Sequence, residues 1–158
     1  MNAATDPLPA VAAAPPPASA APHGARAARR PVLLLIESNF MLRRTVALTA
    51  QDLDVSEIHE ATSIEAAARL LATEPCDAIL IALDDGNAGI ELIEQVRNGT
   101  TACAPGVPVA VMADSYDQAR MQVLLGLCIA RALLKPTKIK SIVQTVAFLS
   151  RATPAPAH

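Results

Sequence analysis

Short apolar runs alternate along the chain with segments whose apolar residues recur every three or four positions. Such a change of period marks strands and helices in turn. Two of the runs, Val32–Ile36 and the stretch within residues 77–83, are continuously apolar, as expected of strands buried on both faces of a parallel sheet. Further strands are predicted over residues 55–61, 107–113 and 129–134. The pattern predicts an α/β fold, a doubly wound five-stranded parallel sheet with helices on both faces, in a single domain.

The segments between the strands carry helix start signals and apolar stripes. Ser38 and Asn39 are placed to cap the first helix, and Thr62 with Glu65 forms a capping box for the second. The other helices are predicted over residues 90–96, 115–127 and 139–149. In a doubly wound fold a functional site lies at the carboxyl ends of the strands. Candidate chemistry is therefore expected at residues 37–38, 82–85, 113–114 and 135–136.

The two ends of the chain lack these patterns. Residues 1–30 and 153–158 are rich in alanine and proline, and neither segment offers a periodic apolar face. Because proline interrupts helices, both are predicted to be disordered tails that flank one domain at residues 31–152. Arg26, Arg29 and Arg30 form a short basic cluster, which is either part of a solvated linker or attracts an acidic partner or a membrane surface.

Composition argues against several classes of function. The net charge is −2, and the aromatic residues are limited to Phe40, Tyr116 and Phe148. Neither a DNA-binding surface nor a stacking platform for single-stranded nucleic acid is expected from so little positive charge and so few rings. No apolar run is long enough for a transmembrane segment, and we see no secretory signal.

The three cysteines, Cys76, Cys103 and Cys128, are widely spaced and odd in number. Disulfide frameworks and zinc sites favour close pairs such as C-x-x-C, which this sequence lacks. The spacing therefore favours buried, reduced thiols in a cytoplasmic protein.

Four short motifs occur at characteristic intervals within residues 31–152. They are Leu134-Lys135-Pro136 after the fifth strand, Arg43-Arg44 in the first helix, Asp77 opening the third strand, and Gly89-Ile90-Glu91-Leu92 opening the third helix. Together they resemble the receiver domain of bacterial two-component response regulators, similar in plan to the single-domain chemotaxis regulators. The resemblance implies a flavodoxin-like sheet with strand order 2-1-3-4-5 and a cytoplasmic role in phosphorelay signal transduction.

The resemblance also assigns a phosphorylation pocket, in which several expected residues are replaced. Receivers end the first strand with two acidic residues that help to hold Mg²⁺, and Glu37 and Ser38 stand at these positions. The aspartate that accepts the phosphoryl group is expected at the end of the third strand, where this chain has Ala82. The chain is thus similar to a degenerate receiver, a pseudo-receiver that lacks its phosphoacceptor.

Two more replacements affect the parts of a receiver that respond to phosphate. The Thr or Ser expected at the end of the fourth strand is Ala113, and the aromatic switch residue of the fifth strand is Ala132. Lys135 is retained together with Glu37. We expect Lys135 either to pair with Glu37 across the emptied pocket or to be solvated.

These replacements bear directly on the chemistry. Alanine has no lone pair with which to attack phosphorus, and one carboxylate with one hydroxyl is a poor Mg²⁺ site. We therefore expect a protein that is not an enzyme and that has no catalytic residue, no cofactor and no bound metal. Glu37 and Asp84 are weak candidates for metal ligands.

Surface residues remain as candidates for partner binding. The fourth helix is more apolar than one buried stripe requires, and Phe148 points away from the apolar stripe of the last helix. In receivers, the fourth helix, fifth strand and fifth helix form the output and dimer face. Met121, Leu124 and Phe148 are therefore predicted to bind a histidine kinase, another regulator or a second copy of the chain. In the alternative, a tail covers Phe148 and the leucines belong to the core.

The sequence leaves three functions open. The leading interpretation is a stand-alone atypical receiver that binds proteins independently of phosphorylation. In the second, Asp84 or Asp85 accepts a phosphoryl group because the loop after Ala82 is short, although a solvated acidic turn explains both residues as well. In the third, the emptied pocket senses a small molecule such as a nucleotide.

Overall fold

Strands and helices alternate through the part of the chain that the structure describes. This structure is a computed structural model, and it describes residues 30–84 and 86–152. Its strands are β1 (Val32–Ile36), β2 (Glu57–Ala61), β3 (Ala78–Ala82), β4 (Val109–Ala113) and β5 (Arg131–Leu134). Its helices are α1 (Phe40–Asp52), α2 (Ile64–Thr73), α3 (Ala88–Arg97), α4 (Gln118–Gly126) and α5 (Ile139–Arg151). Apart from Arg30, the predicted tails lie outside the described residues.

The strands form one parallel sheet in the order β2-β1-β3-β4-β5, which confirms the predicted topology. Ile36 pairs with Ala61 of β2 on one side and with Ile81 of β3 on the other. At the far side of the sheet Ala113 pairs with Leu134 of β5. The carboxyl ends of these strands therefore meet at one edge, around the point between β1 and β3 where the strand order reverses.

Side chains of the central strands point alternately into two apolar clusters. Leu34 and Ile36 belong to a cluster that α2, α3 and α4 cover, whereas Leu33 and Leu35 belong to a cluster that α1 and α5 cover. Every residue of β1, β3 and β4 is buried. Burying one such leucine or isoleucine stabilises the fold by about 2 kcal/mol. Since both faces of these strands are buried, every position favours an apolar residue, and the strands appear in the sequence as continuous apolar runs.

The helix caps agree with the prediction at α1 and differ at α2. Asn39 caps α1, since its side chain accepts a backbone hydrogen bond at 2.9 Å. The cap of α2 is Ser63, whose Oγ accepts a hydrogen bond from Ala66 N at 3.0 Å. The predicted capping box of Thr62 and Glu65 is therefore wrong by one residue. Two adjacent hydroxyl residues give the same sequence signal, and Ser63 has the extended backbone that a cap needs.

The edge strands and α4 are shorter than predicted. β2 begins at Glu57 and β5 at Arg131, each two residues later than predicted, and the central strand β4 likewise begins two residues later, at Val109. Helix α4 begins at Gln118, where the carboxylate of Asp117 accepts a hydrogen bond from Arg120 N at 2.7 Å and caps it. Over residues 30–84 and 86–152, none of the helices combines the length and the apolar character needed to cross a bilayer.

Candidate functional site

A small pocket lies at the carboxyl edge of the sheet, where several of the predicted site residues meet. We call it the carboxyl-edge pocket, and its lining consists of Ile36, Glu37, Ser38, Thr62, Ser63, Ile64, Ala82 and Asp84. Its volume is about 10 Å³, close to the ~10–15 Å³ that a single water molecule needs. In this arrangement the pocket has no room for a ligand of nucleotide size.

Lys135, which follows β5, reaches two carboxylates of the pocket. Its Nζ lies 2.8 Å from Glu37 Oε1 and 3.1 Å from Asp84 Oδ2. The side chain of Lys135 is 16% exposed and that of Glu37 is 1% exposed, so this ion pair is shielded from solvent. The other oxygen of Glu37 accepts a hydrogen bond from Asn39 N at 2.9 Å. The structure thus contains the Glu37–Lys135 pair that the sequence suggested and adds Asp84 as a second partner.

The surroundings of Lys135 favour its charged form. Burial is the largest single influence and opposes the charge, but hydrogen bonds to Glu37 and Asp84 and the charges of these carboxylates outweigh it. Together they raise the pKa of Lys135 above its ordinary value of 10.5. The ammonium group is therefore held as a cation between two carboxylates at neutral pH.

Arg43 anchors the pocket from α1, and sequence reasoning did not assign it this role. Its Nη1 donates a hydrogen bond to the carbonyl oxygen of Glu37 at 3.0 Å, and its Nε donates to Glu60 Oε1 at 3.0 Å. Arg44 also pairs with Glu60, which lies on β2. The Arg43-Arg44 motif was visible in the sequence, but its acidic partner becomes apparent only once β2 is placed beside β1.

Two methyl groups stand at the ends of β3 and β4, at positions where the resemblance to receivers led us to expect reactive side chains. Ala82 is the last residue of β3, lines the pocket and is 6% exposed. Ala113 is the last residue of β4 and is 1% exposed. Neither can attack phosphorus or donate a hydrogen bond to a phosphoryl oxygen. Asp84 lies two residues beyond Ala82 with a side chain that is 32% exposed, and Asp85 lies outside the described residues.

The donor set of the pocket does not fit a divalent cation as it is arranged. Mg²⁺ prefers an octahedral shell of oxygen ligands, and carboxylates supply it best. Here Glu37 and Asp84, the two weak metal-ligand candidates, are both engaged by the ammonium group of Lys135. Among the residues that the structure describes, no group of three or more His, Cys, Asp or Glu side chains could hold a metal ion.

Two side chains hold the loops around the pocket. Tyr116 Oη, in the loop after β4, donates a hydrogen bond to the carbonyl oxygen of Leu133 at 2.5 Å, and burial raises the pKa of Tyr116 to about 12. Arg120 Nη2, on α4, donates to the carbonyl oxygen of Gly86 at 2.8 Å. Ala132, which the resemblance aligned with an aromatic switch residue, is exposed on β5. One aromatic ring near β5, that of Tyr116, thus comes from the β4–α4 loop, and its hydroxyl is hydrogen-bonded to the backbone.

The predicted partner-binding residues differ in exposure. Phe148 is 37% exposed, and the guanidinium of Arg131 lies 4.3 Å from the centre of its ring. Met121 is half-buried against the core, and Leu124 is 1% exposed. The prediction that Leu124 belongs to a surface is therefore wrong, because it lies on the inward stripe of α4. Its two neighbours on that helix are exposed apolar residues, Val123 at 42% and Leu125 at 68%.

The sheet order, the two helix layers and the position of the pocket define the fold as that of response regulator receiver domains. Many solved structures that share it are receivers. The non-phosphorylated HemR receiver domain of Leptospira biflexa matches with a TM-score of 0.68 and 20% identity, over 80% of this chain and 99% of that chain. The chemotaxis protein CheY4 of Vibrio cholerae matches with a TM-score of 0.65 and 17% identity, over 77% of this chain and 99% of that chain.

A response regulator receiver protein of Pseudomonas putida matches similarly, with a TM-score of 0.65 and 21% identity over 75% of this chain and 97% of that chain. At these identities the likeness shows the fold alone. No protein-family model matches the chain, and no curated protein matches it at a significant level.

Proposed function

We propose that this chain is an atypical, stand-alone receiver that acts in two-component signal transduction by binding proteins independently of phosphorylation. The observation that carries the proposal is the alanine at the end of β3. Ala82 lines the carboxyl-edge pocket without offering a nucleophile, and Ala113 offers no hydroxyl. The signalling context is supported by the solved structures of the same fold, which are receivers.

In this proposal the domain holds one conformation. A receiver that switches needs elements with two arrangements, whose balance the phosphoryl group shifts. Here the cation of Lys135 is already neutralised by Glu37 and Asp84, without phosphate. Tyr116 and Arg120 hold the neighbouring loops through hydrogen bonds to backbone oxygens. These fixed contacts favour a partner-binding surface that is binding-competent without phosphorylation.

The proposed mechanism needs neither a catalytic residue nor a metal or other cofactor. Mg²⁺ serves a receiver by neutralising charge during phosphoryl transfer, a step that a chain ending β3 in Ala82 does not perform at that position. We place the protein in the cytoplasm, where unpaired thiols such as its free cysteines are maintained.

The partner is proposed to bind the α4–β5–α5 face, defined by Met121, Leu125, Leu134 and Phe148. Leu125 is 68% exposed, Leu134 is 61% exposed and Phe148 is 37% exposed. Exposed apolar side chains of this size, beside an edge strand with one paired side, are typical of protein interfaces. The proposed partner is a histidine kinase, another regulator or a second copy of this chain.

Phosphorylation independence is tested by incubating the full chain with acetyl phosphate and Mg²⁺ and measuring its intact mass. We expect no phosphoryl adduct on the wild-type protein. A receiver domain that has its phosphoacceptor aspartate, treated in parallel, is the positive control that shows the acetyl phosphate to be active. An adduct on the wild-type chain would contradict the proposal.

A second candidate function is favoured by the position of Asp84. Its Oδ2 lies 3.1 Å from Lys135 Nζ, so a carboxylate does face the retained lysine. If this chain is an active receiver, the adduct forms and is lost in Asp84→Asn, or in Asp85→Asn if the neighbouring residue accepts the phosphoryl group. The same mass measurement therefore separates the two functions.

The partner surface is tested by comparing pull-downs with wild-type bait, Phe148→Asp and Leu134→Asp, and by light scattering for self-association. We expect both variants to lose the partner or the dimer while keeping the wild-type circular dichroism. Leu48→Asp is the matched control, since Leu48 is an exposed apolar residue on α1, 47% exposed. Loss of binding in the Leu48 variant alone would place the contact on α1 and contradict this part of the proposal.

A further inference from the structure

We propose that Cys76 and Cys103 form a redox modification site, at which a peroxide oxidises the two thiols to a reversible intramolecular disulfide. The two residues are 27 positions apart in the sequence, yet their Sγ atoms lie 2.9 Å from each other. A disulfide bond is about 2.05 Å long, so the sulfurs need to approach by roughly 0.9 Å. This inference does not depend on the proposed signalling function.

The surrounding backbone holds the two thiols together. Cys76 lies in the connection between α2 and β3, and Cys103 lies in the connection between α3 and β4. Cys76 N donates a hydrogen bond to Cys103 Sγ at 3.1 Å. Ala102 N donates to the carbonyl oxygen of Leu71 at 2.7 Å, which ties the second connection to α2. Since β3 and β4 are neighbours in the sheet, both connections leave the same edge and the sulfurs face each other without rearrangement of the sheet.

The environment divides the two thiols into different roles. The hydrogen bond from the Cys76 thiol, together with the Cys76 backbone N–H, lowers the pKa of Cys103 although burial opposes this. The same thiol–thiol hydrogen bond and burial raise the pKa of Cys76. Cys103 is therefore the more readily deprotonated of the two thiols. The thiolate is the nucleophilic form of cysteine.

The reaction balances with one peroxide per disulfide. The Cys103 thiolate attacks one oxygen of hydrogen peroxide, the O–O bond breaks, and a sulfenic acid forms while the leaving hydroxide becomes water by taking a proton. The Cys76 sulfur then attacks the sulfenic sulfur. The S–S bond forms, the S–O bond breaks, and the departing hydroxide takes the Cys76 proton to become a second water. Both sulfurs are oxidised and the peroxide is reduced.

The site lies away from the carboxyl-edge pocket. The disulfide would close a loop that contains β3 and α3 and is anchored at the amino ends of β3 and β4. Such a cross-link stabilises a fold mainly by restricting the unfolded chain. We expect the oxidised protein to melt at a temperature several degrees higher than the reduced protein, and the phosphorylation test above is unaffected by this outcome.

The experiment uses the full chain, treated with hydrogen peroxide or with dithiothreitol and then alkylated without reduction. We expect intact mass to show the loss of two hydrogens, peptide mapping to show Cys76 linked to Cys103, and the titratable thiols to fall from three to one. Dithiothreitol should restore the three thiols and the lower melting temperature. Because the mapping uses wild-type protein, it does not depend on the folding of a variant.

Matched variants assign the effect. Cys128→Ser is the control, since Cys128 is exposed and lies between α4 and β5, and this variant should form the same disulfide. Cys76→Ser should not form it and should show no rise in melting temperature. Wild-type protein that gains only oxygen atoms, links Cys128 between molecules or keeps all its thiols under peroxide would overturn the proposal.

Discussion

Lys135 illustrates how one residue takes its role from its partners. Its ammonium group bridges Glu37 and Asp84, and the buried Glu37 has no other cation among the ion pairs of the described residues. Removing one member of a buried pair leaves the other charge uncompensated, which costs more than the pair itself contributes. Lys135 therefore stabilises the pocket by neutralising Glu37.

We expect Lys135→Met to lower the free energy of unfolding by roughly 3 kcal/mol at pH 7, measured by urea denaturation. Lys140→Met, at an exposed position of α5, is the control and should change little. The raised pKa of Lys135 sets the pH dependence, because its stabilisation is complete below the ordinary value of 10.5 and is lost as pH rises through the higher folded value. The difference between wild type and variant should shrink above that pH. A constant difference would contradict the ion-pair explanation.

The individual residues of the pocket were only partly predictable. Glu37 and Lys135 could be assigned because each directly follows a strand and matches a position of the receiver pocket in the resemblance. The involvement of Arg43 with Glu60 could not, because it depends on the register of β1 against β2. Asp84 could be placed near the site, but its bond to Lys135 depends on the path of a loop.

At the scale of elements, the central strands and the amino end of α2 show which features a short stretch of sequence can predict and which it cannot. Strands buried on both faces are evident from composition, since every position must be apolar. The cap of α2 is ambiguous because Thr62 and Ser63 carry equivalent hydroxyl groups. The structure resolves the ambiguity, because Ser63 has the extended backbone of a cap and its side chain accepts the hydrogen bond.

This assignment leads to a test with a built-in control. Ser63→Ala should lower the free energy of unfolding by about 1 kcal/mol, because the hydrogen bond to Ala66 N is lost. Thr62→Ala, at an exposed position one residue earlier, should change it by no more than about 0.5 kcal/mol. Thermal or urea denaturation of both variants measures the difference. Equal effects, or a larger loss in the Thr62 variant, would show that the cap lies elsewhere.

At the scale of the whole molecule, two adjacent residues of α4 mark the boundary between the core and the surface. Leu124 is 1% exposed and Leu125 is 68% exposed. Leu124→Ala should lower the free energy of unfolding by about 3 kcal/mol, since it removes a buried side chain and leaves a cavity. Leu125→Ala should lie within about 0.5 kcal/mol of wild type. Denaturation curves that rank the two variants in the opposite order would reverse the assignment of the surface.

The overall topology was accessible from sequence because parallel strands, crossover helices and apolar runs all constrain the same fold. Which residues of α4 are buried was harder to predict, because its many apolar residues allow the buried stripe to be drawn along more than one side of the helix. Contacts between distant connections were hardest. The spacing of Cys76 and Cys103 in the sequence does not predict that they are in contact. Their contact follows from the pairing of β3 with β4.

The segment after β3 is tied to two different parts of the molecule. Lys135 holds Asp84 from the end of β5, and Arg120 holds the carbonyl oxygen of Gly86 from α4. A protein that docks on α4 therefore contacts a helix that is hydrogen-bonded to the same loop whose Asp84 pairs with Lys135. Energetic coupling between two binding events on one molecule is mutual, so a ligand bound at Lys135 and a protein bound at α4 would alter each other's affinity by the same factor if this loop couples the two positions.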